Sequence, residues 1–325
     1  MFTFAGKLHI NNFSCIMANV IKIKKGLDIN LKGKASDVLL NGGKSESYAI
    51  VPDYYNGILP KVVAKVGEKV KAGSVLMIDK NRPEIKFVSP VSGEVTAVNR
   101  GEKRKVLSIV VKPDAQIEYE EFGKKNVASL QGAEVKEVLL NAGMWPFIKQ
   151  RPYDIVAAPL DTPREIFVSA FYSAPLAPNF DFIVKGQEAD FQTGLNALAK
   201  LTNGKVYVGV RSGSVVSGVK GVEIVEVEGP HPAANVGVQI NHIKPVNKGE
   251  VVWTVNPADV IVIGRLFNKG VADFSRMVAI TGSETTERGY VKTISGCTIK
   301  SLVNGKVLGQ EHIRIISGIV LTGTK

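Results

Sequence analysis

Between Val20 and Lys112 the apolar residues come in short runs cut by Gly and Pro. Val62-Val63-Ala64-Lys65-Val66, Ser74-Val75-Leu76-Met77-Ile78, Ile85-Lys86-Phe87-Val88 and Leu107-Ser108-Ile109-Val110-Val111 are the clearest of them. Short runs rich in β-branched residues predict strands, and helical periodicity is absent. Met17 opens an alternating start through Val20-Ile21-Lys22-Ile23. With Gly67, Gly73, Pro90 and Gly93 explained as turn residues, residues 17–125 are expected to form a barrel-sandwich domain of the lipoyl or biotinyl type.

Near Val127 the period changes. Leu130, Ala133, Val135, Val138 and Leu139 fall on one helical face within Ala128–Ala142. Glu165–Phe171 reads as a buried strand and leads into a Pro-rich loop, Ser173–Pro178. Phe191, Leu195, Leu198 and Leu201 make Glu188–Leu201 an amphipathic helix that Asn203-Gly204 stops. Lys205–Val210 returns as a strand, and strand-helix-strand at these lengths is a βαβ unit. Val251–Val255 adds a strand, Asn256-Pro257 starts a helix to Phe267, and Arg276–Ile280 adds a further core strand. Residues 126–282 are therefore expected to be a Rossmann-like α/β domain on a mainly parallel sheet. The tail, 283–325, is predicted to hold strand Tyr290–Thr293, helix Thr298–Val303 and strands Ile313–Ser317 and Ile319–Leu321, the size of a β-grasp module. Residues 1–16 lack the apolar core of a signal peptide and are expected to be an extraneous or disordered leader.

Composition narrows the class. A chain of 325 residues with 45% hydrophobic and 22% charged content suits an ordinary globular protein of two or three domains. No apolar run approaches the roughly 18–20 residues that a membrane helix needs, so membrane association is expected only through partners. The net charge of +11 is uneven. Through Lys125 there are 21 basic against 13 acidic residues, and beyond it 20 against 17. That basic third leaves open an anionic lipid surface, an acidic partner or nucleic acid, although interleaved acids favour a solvated surface. Cys15 and Cys297 are the only cysteines, which excludes a disulfide framework, a CxxC zinc site and an iron–sulfur cluster.

Four motifs carry candidate chemistry. Asp79-Lys80 resembles the acceptor pair of lipoyl domains, but the hairpin apex falls on Asn81-Arg82-Pro83 and no flexible linker flanks the unit. Gly209–Gly218 is rich in Gly and Ser after a strand, yet lacks dinucleotide spacing and carries Val215-Val216, which disfavour a helix. Gly229-Pro230-His231-Pro232 is a rigid turn, and His231 and His242 have no local carboxylate, thiolate or nucleophile beside them. Gly143–Pro152 concentrates Trp145, Phe147, Lys149 and Arg151, and such a loop could stack a flat apolar ring and hold its polar head. The basic tip Arg100–Lys105 could dock a partner or simply be solvated. Neither basic patch interleaves aromatics as single-strand binders do, so no nucleic-acid partner is expected. No catalytic or metal-ligating set is found.

These pieces together resemble the NqrA family, which supplies the A subunit of the Na+-translocating NADH:quinone reductase. The resemblance rests on Ile21-Lys22-Ile23-Lys24-Lys25-Gly26-Leu27-Asp28-Ile29, Val66–Val70, Asp79–Pro83, Ser89–Gly93, Arg100–Arg104, Gly229–Ala233 and Asp259–Phe267, in order from about Met17 to the last residues. It implies an extramembrane subunit on the cytoplasmic face of the bacterial inner membrane, within a respiratory complex that passes electrons from NADH to quinone and exports Na+. It implies no redox cofactor on this chain, the membrane-embedded B subunit as a neighbour, and a contribution to the quinone site. It also implies that residues 283–325 are the family's β-grasp (SLBB-like) module for soluble ligands, and that a C-terminal portion of the family lies beyond Lys325. The architecture is similar to the flavin-binding subunit of respiratory complex I and to the C subunit of Rnf complexes. Their flavin loop is replaced here by Gly143–Arg151 and their cysteine cluster is absent. Trp145, Phe147, Arg151 and His231 are the quinone-proximal candidates. The alternatives are an electron-input subunit that binds flavin or NADH, and a lipoyl-type carrier at Lys80.

Overall fold

The computed structural model describes residues 19–309 and 313–324; the leader expected over residues 1–16 lies outside them. The alternating start forms β1 (Asn19–Lys22), but this strand does not join the unit that follows it in sequence. It pairs in parallel with a strand over Glu223–Glu228, at the edge of the central sheet. Alternation marks a half-buried strand without saying which sheet buries it. Here Ile21 and Ile23 pack with Phe171, Val225 and Val227, and that contact decides.

The chain then crosses to β2 (Leu39–Leu40) and enters the first β unit with β3 (Tyr48–Ile50), β4 (Pro60–Val62), β5 (Lys69–Val70), β6 (Val75–Asp79), β7 (Lys86–Val88), β8 (Gly93–Arg100) and β9 (Val106–Pro113). One sheet runs β3-β9-β8-β5 and the other β4-β6-β7. Inward positions alternate along the strands: Leu76, Val95, Ile109 and Val111 are wholly buried. The run expected as a strand over Val62–Val66 lies earlier, because pairing with β6 fixes Pro60 opposite Asp79 and Val62 opposite Met77. Val66 falls in a turn closed by Glu68 N–H donating to Lys65 O at 3.1 Å.

After α1 (Gly132–Asn141) come β10 (Ile148–Arg151), β11 (Ile155–Val156), β12 (Ile166–Ser169), α2 (Phe180–Val184), α3 (Glu188–Ala199), β13 (Val206–Val210), β14 (Glu223–Glu228), α4 (Val236–Ile243), β15 (Val252–Val255) and α5 (Pro257–Lys269). They build a seven-stranded sheet of order β1-β14-β13-β12-β15-β10-β11. Its first five strands are parallel neighbours, and β10 and β11 close the far edge antiparallel. The segment expected as a loop over Gly143–Arg151 is thus a 3-10 turn at Trp145–Phe147 followed by a strand, whose Ile148 pairs with Val255.

The strand expected to complete the α/β domain also leaves it. β16 (Ser275–Ile280) pairs antiparallel with β17 (Gly289–Ile294), and β2 adds to β17 in parallel. Gly270, in the left-handed conformation at φ 76°, turns the chain out of α5. The Arg265 guanidinium then donates to Ser275 O at 2.9 Å and holds the new direction. With α6 (Ile299–Val303) these strands form a small third unit. The strands expected over Ile313–Ser317 and Ile319–Leu321 are not formed; this stretch is turns with a single bridge, Ser317 to Thr324. Gly318 at φ 103° breaks the extended run between them.

Candidate functional site

The sheet order reverses beside β12. The chain proceeds from β12 outward to β13 and β14, then returns to lay β15 on the other side of β12. Loops leaving two such strands diverge to opposite faces, so a crevice opens at their carboxyl ends. A cleft of about 850 Å³ lies there. Its floor is Ser169, Phe171 and Tyr172 after β12, and Val255 and Asn256 after β15. The first β unit supplies one wall through Tyr54, Tyr55 and Phe87, and the third unit supplies Phe274 and Arg276. Phe147, Lys149, Arg151 and Asp154 form the rim toward β10.

Asn256 organises the floor. Its Oδ1 caps α5 by accepting the Ala258 N–H at 3.0 Å and also accepts the Tyr172 hydroxyl at 3.2 Å. Pro257 suits the first helical turn, where its missing N–H costs nothing. Asp259 follows in the same turn and receives Arg276 Nη2 at 3.0 Å. Burial pushes the Asp259 carboxyl up, opposed by the Arg276 and Lys149 charges. Burial, then the Asp259 charge, push the Tyr55 phenol up to about 12, and the same two causes raise Tyr172. Both phenols are therefore neutral hydroxyls at physiological pH.

The basic groups keep donors in reserve. Arg151 Nη2 lies 3.4 Å from Asp154, and Lys149 Nζ 4.0 Å from it. The Nε–H groups of Arg151 and Arg276 are buried without a partner among the described residues. Seven aromatic side chains, Tyr54, Tyr55, Phe87, Phe147, Phe171, Tyr172 and Phe274, line the same cleft. Aromatic faces with a few convergent donors suit a flat, mostly apolar ring that carries acceptor oxygens.

Of the residues singled out from sequence, Phe147 and Arg151 line the cleft. Trp145 does not. It is wholly buried, its Nε1–H donates to Ala157 O at 2.8 Å, and its ring meets Trp253 edge-on at 5.3 Å. A side chain so fixed cannot stack on a ligand, which corrects that part of the expectation. His231 lies outside the cleft, in a turn with a cis bond to Pro232. Its Nδ1 is 3.1 Å from the Ser173 hydroxyl, which also accepts the Ala234 N–H at 3.0 Å. The hydroxyl that sequence reading missed is thus a clamp for the turn. Tyr55, Tyr172, Asp259 and Arg276 were missed as well. The only signal was the Asn256-Pro257-Ala258-Asp259 helix start directly after a strand.

Lys80 is exposed at the base of the β6–β7 hairpin tip, but the tip is fastened. Buried Asp79 accepts Arg82 Nε at 2.8 Å, and Arg82 donates on to Val156 O and Gly57 O at 3.1 and 2.8 Å. A lysine arm needs a free tip, so the carrier alternative is not favoured. Among the described residues no group of three or more His, Cys, Asp and Glu could hold a metal, and no helix is long and apolar enough to cross a membrane.

Two β units clasping an α/β unit, with an aromatic cleft where all three meet, define a modular three-unit protein. Family models match each unit: the NqrA N-terminal barrel-sandwich hybrid domain over residues 21–114, the NqrA second alpha/beta domain over 130–272 and the NqrA C-terminal domain over 277–325. The A subunit of the Na(+)-translocating NADH-quinone reductase from Photorhabdus laumondii is 37% identical over 310 residues, covering 94% of this chain and 69% of that one. Its counterparts in Hahella chejuensis and Neisseria meningitidis serogroup A are 38% and 36% identical over 309 and 308 residues, with the same shares covered. The chain belongs to the NqrA family, the A subunits of the Na+-translocating NADH-quinone reductase. Among solved structures, an NAD+-reducing [NiFe]-hydrogenase aligns at 10% identity and a TM-score of 0.33, over 60% of this chain and 45% of that one.

Proposed function

We propose that the chain works as the A subunit of a Na+-translocating NADH-quinone reductase, peripheral on the cytoplasmic side and next to the membrane-embedded B subunit. In this reading its cleft receives the head group of a quinone. The observation that carries it is the aromatic cleft at the β12–β15 reversal. A quinone ring is flat and apolar on its faces and accepts hydrogen bonds at its edges. Phe147, Phe274 and the Tyr172 ring offer the faces, Tyr55 offers a neutral donor, and Arg151, Arg276 and Lys149 offer charged donors. The reversal also supports a Rossmann-like reading of the α/β unit, and the β16-β17-β2 sheet with α6 supports a β-grasp reading of the third.

The chain holds no redox cofactor of its own in this proposal. Val215–Gly218 forms a 3-10 turn, so the Gly-rich segment after β13 presents no α-helix N-terminus to a pyrophosphate. The test is photo-crosslinking of the assembled complex with an azido-quinone. Label on peptides holding Tyr54–Tyr55, Phe147–Asp154 or Phe274–Arg276 is the expected result. Label confined to other chains of the complex, or to surfaces away from these peptides, overturns it.

A further inference from the structure

Between β1 and β2 the chain runs over the surface as an irregular strap, and from Lys24 to Lys32 every residue is exposed. Leu27, Ile29 and Leu31 are 69%, 43% and 44% exposed. Lys24 and Lys25 precede them and Lys32 and Lys34 follow, and none of these lysines has an ion-pair partner among the described residues. Asp28 is the single acid from Lys24 to Lys34, and its carboxylate is already engaged by the His231 N–H at 2.8 Å, while Asp37, nearer β2, accepts the Asn179 side-chain amide at 2.9 Å.

This exposure is built into the fold. Leu27 N–H donates to His231 O at 2.9 Å, and Gly282 N–H donates to Gly33 O at 2.8 Å. At Gly26 an added Cβ would lie 2.1 Å from His231 O, and at Gly33, with φ +103°, 2.2 Å from Gly282 C. Only glycine lets the strap lie so close at both points. The rigid Gly-Pro-His-Pro turn thus serves as the bed on which the strap is laid. Ile29 and Leu31 form the lip of a groove of about 670 Å³, while Leu27 stands clear of it.

We propose that this strap is a contact for an anionic lipid bilayer surface. Three aliphatic side chains bracketed by lysines can enter the boundary between headgroups and acyl chains while the ammonium groups stay at headgroup level. Protein interfaces have a different composition: they concentrate Trp, Tyr and Arg and are depleted in Lys. The strap has none of the first three and is rich in the last. The contact adds a direct membrane attachment to any made through partner chains, which was the sole route expected from the sequence, and it does not depend on the quinone reading.

Flotation of the purified chain with vesicles tests it. Vesicles of phosphatidylcholine and phosphatidylglycerol in equal parts should carry the protein up, and vesicles of phosphatidylcholine alone should not. Binding should weaken about fivefold for each of Lys24→Gln, Lys25→Gln and Lys32→Gln, the effect of about one lysine's attraction to an anionic surface. The triple variant Leu27→Ser, Ile29→Ser, Leu31→Ser should lose binding while keeping its circular dichroism melt, since these side chains are exposed. Lys80→Gln with Lys103→Gln, at the two hairpin tips, should leave binding within about twofold. Absence of binding to anionic vesicles, equal binding to neutral ones, or equal loss from the tip variant would each overturn the proposal.

Discussion

Asp273 ties the end of α5 to the strand that leaves it. Its carboxylate accepts the Ser275 N–H at 3.0 Å and lies 3.4 Å from Arg265 Nη1 and 3.0 Å from Lys269 Nζ. Burial alone would raise this carboxyl, but hydrogen bonds from Ser275 and the Arg265 and Lys269 cations outweigh it and hold it at about 2, against an ordinary 3.8. The depressed value means that the ionised form stabilises the fold. That contribution is fully present above the unfolded value and is lost as pH falls from about 4 to about 2. It amounts to about 2 kcal/mol. Asp273→Asn should lower stability at neutral pH by about that amount and flatten the acid limb across this window, as urea melts over a pH series would read. At this scale sequence reading picks out residue types well and their surroundings poorly. Trp145 and Phe147 are both aromatic and two positions apart, yet one is sealed beside Trp253 and the other lines the cleft. Their own spacing does not separate them, because the difference is made by Ala157 at the exit of β11 and by Trp253, far along the chain.

The elements most legible in the sequence are the two helices that pack on each other. Apolar spacing marks α3 and the Asn-Pro start marks α5, both close to where they form. How closely they approach depends on two glycines whose purpose the sequence hides. A Cβ at Gly264 would sit 1.7 Å from Asp190 O, and one at Gly194 would sit 2.1 Å from Val260 O. The backbones touch, so neither position has room for a methyl group. Gly264→Ala should therefore destabilise the protein by about 3 kcal/mol or more, despite alanine's better helix propensity. A lowered thermal midpoint checks it; an unchanged or raised one would mean that the helices separate at no cost. Strands were harder to place than helices, because their partners are distant in sequence. Glu223-Ile224-Val225-Glu226-Val227-Glu228 alternates in plain view, but that β1 covers its outer edge depends on a pairing some 200 residues apart. The exits of β1 and β16 from their expected units have the same cause.

At the scale of the whole molecule the cleft exists only because three units are held in one arrangement. Its walls come from segments near 50, 150, 255 and 275, which no local pattern could bring together. The Asp79–Arg82 pair is one clasp of that arrangement, joining the β6–β7 hairpin to Gly57 and to Val156 in β11. Asp79 is 1% exposed and also accepts the N–H groups of Leu59 and Asn81. Removing Arg82 would leave that carboxylate buried without its cation. Arg82→Ala should thus cost about 3 kcal/mol and loosen residues 48–57, which carry Tyr54 and Tyr55 to the cleft. Arg82→Lys separates the two effects. It keeps a charge near Asp79, but a lysine cannot reproduce the guanidinium fork that reaches Asp79, Val156 and Gly57 together. It should therefore retain most of the stability and still speed hydrogen exchange at residues 48–57. Azido-quinone labelling of the cleft should fall in both variants, although Arg82 does not line it. If exchange at 48–57 stays at the wild-type rate in Arg82→Ala, the clasp does not hold the wall. The cleft must then be shaped by the shared core alone, in which Val88 packs against Gly143.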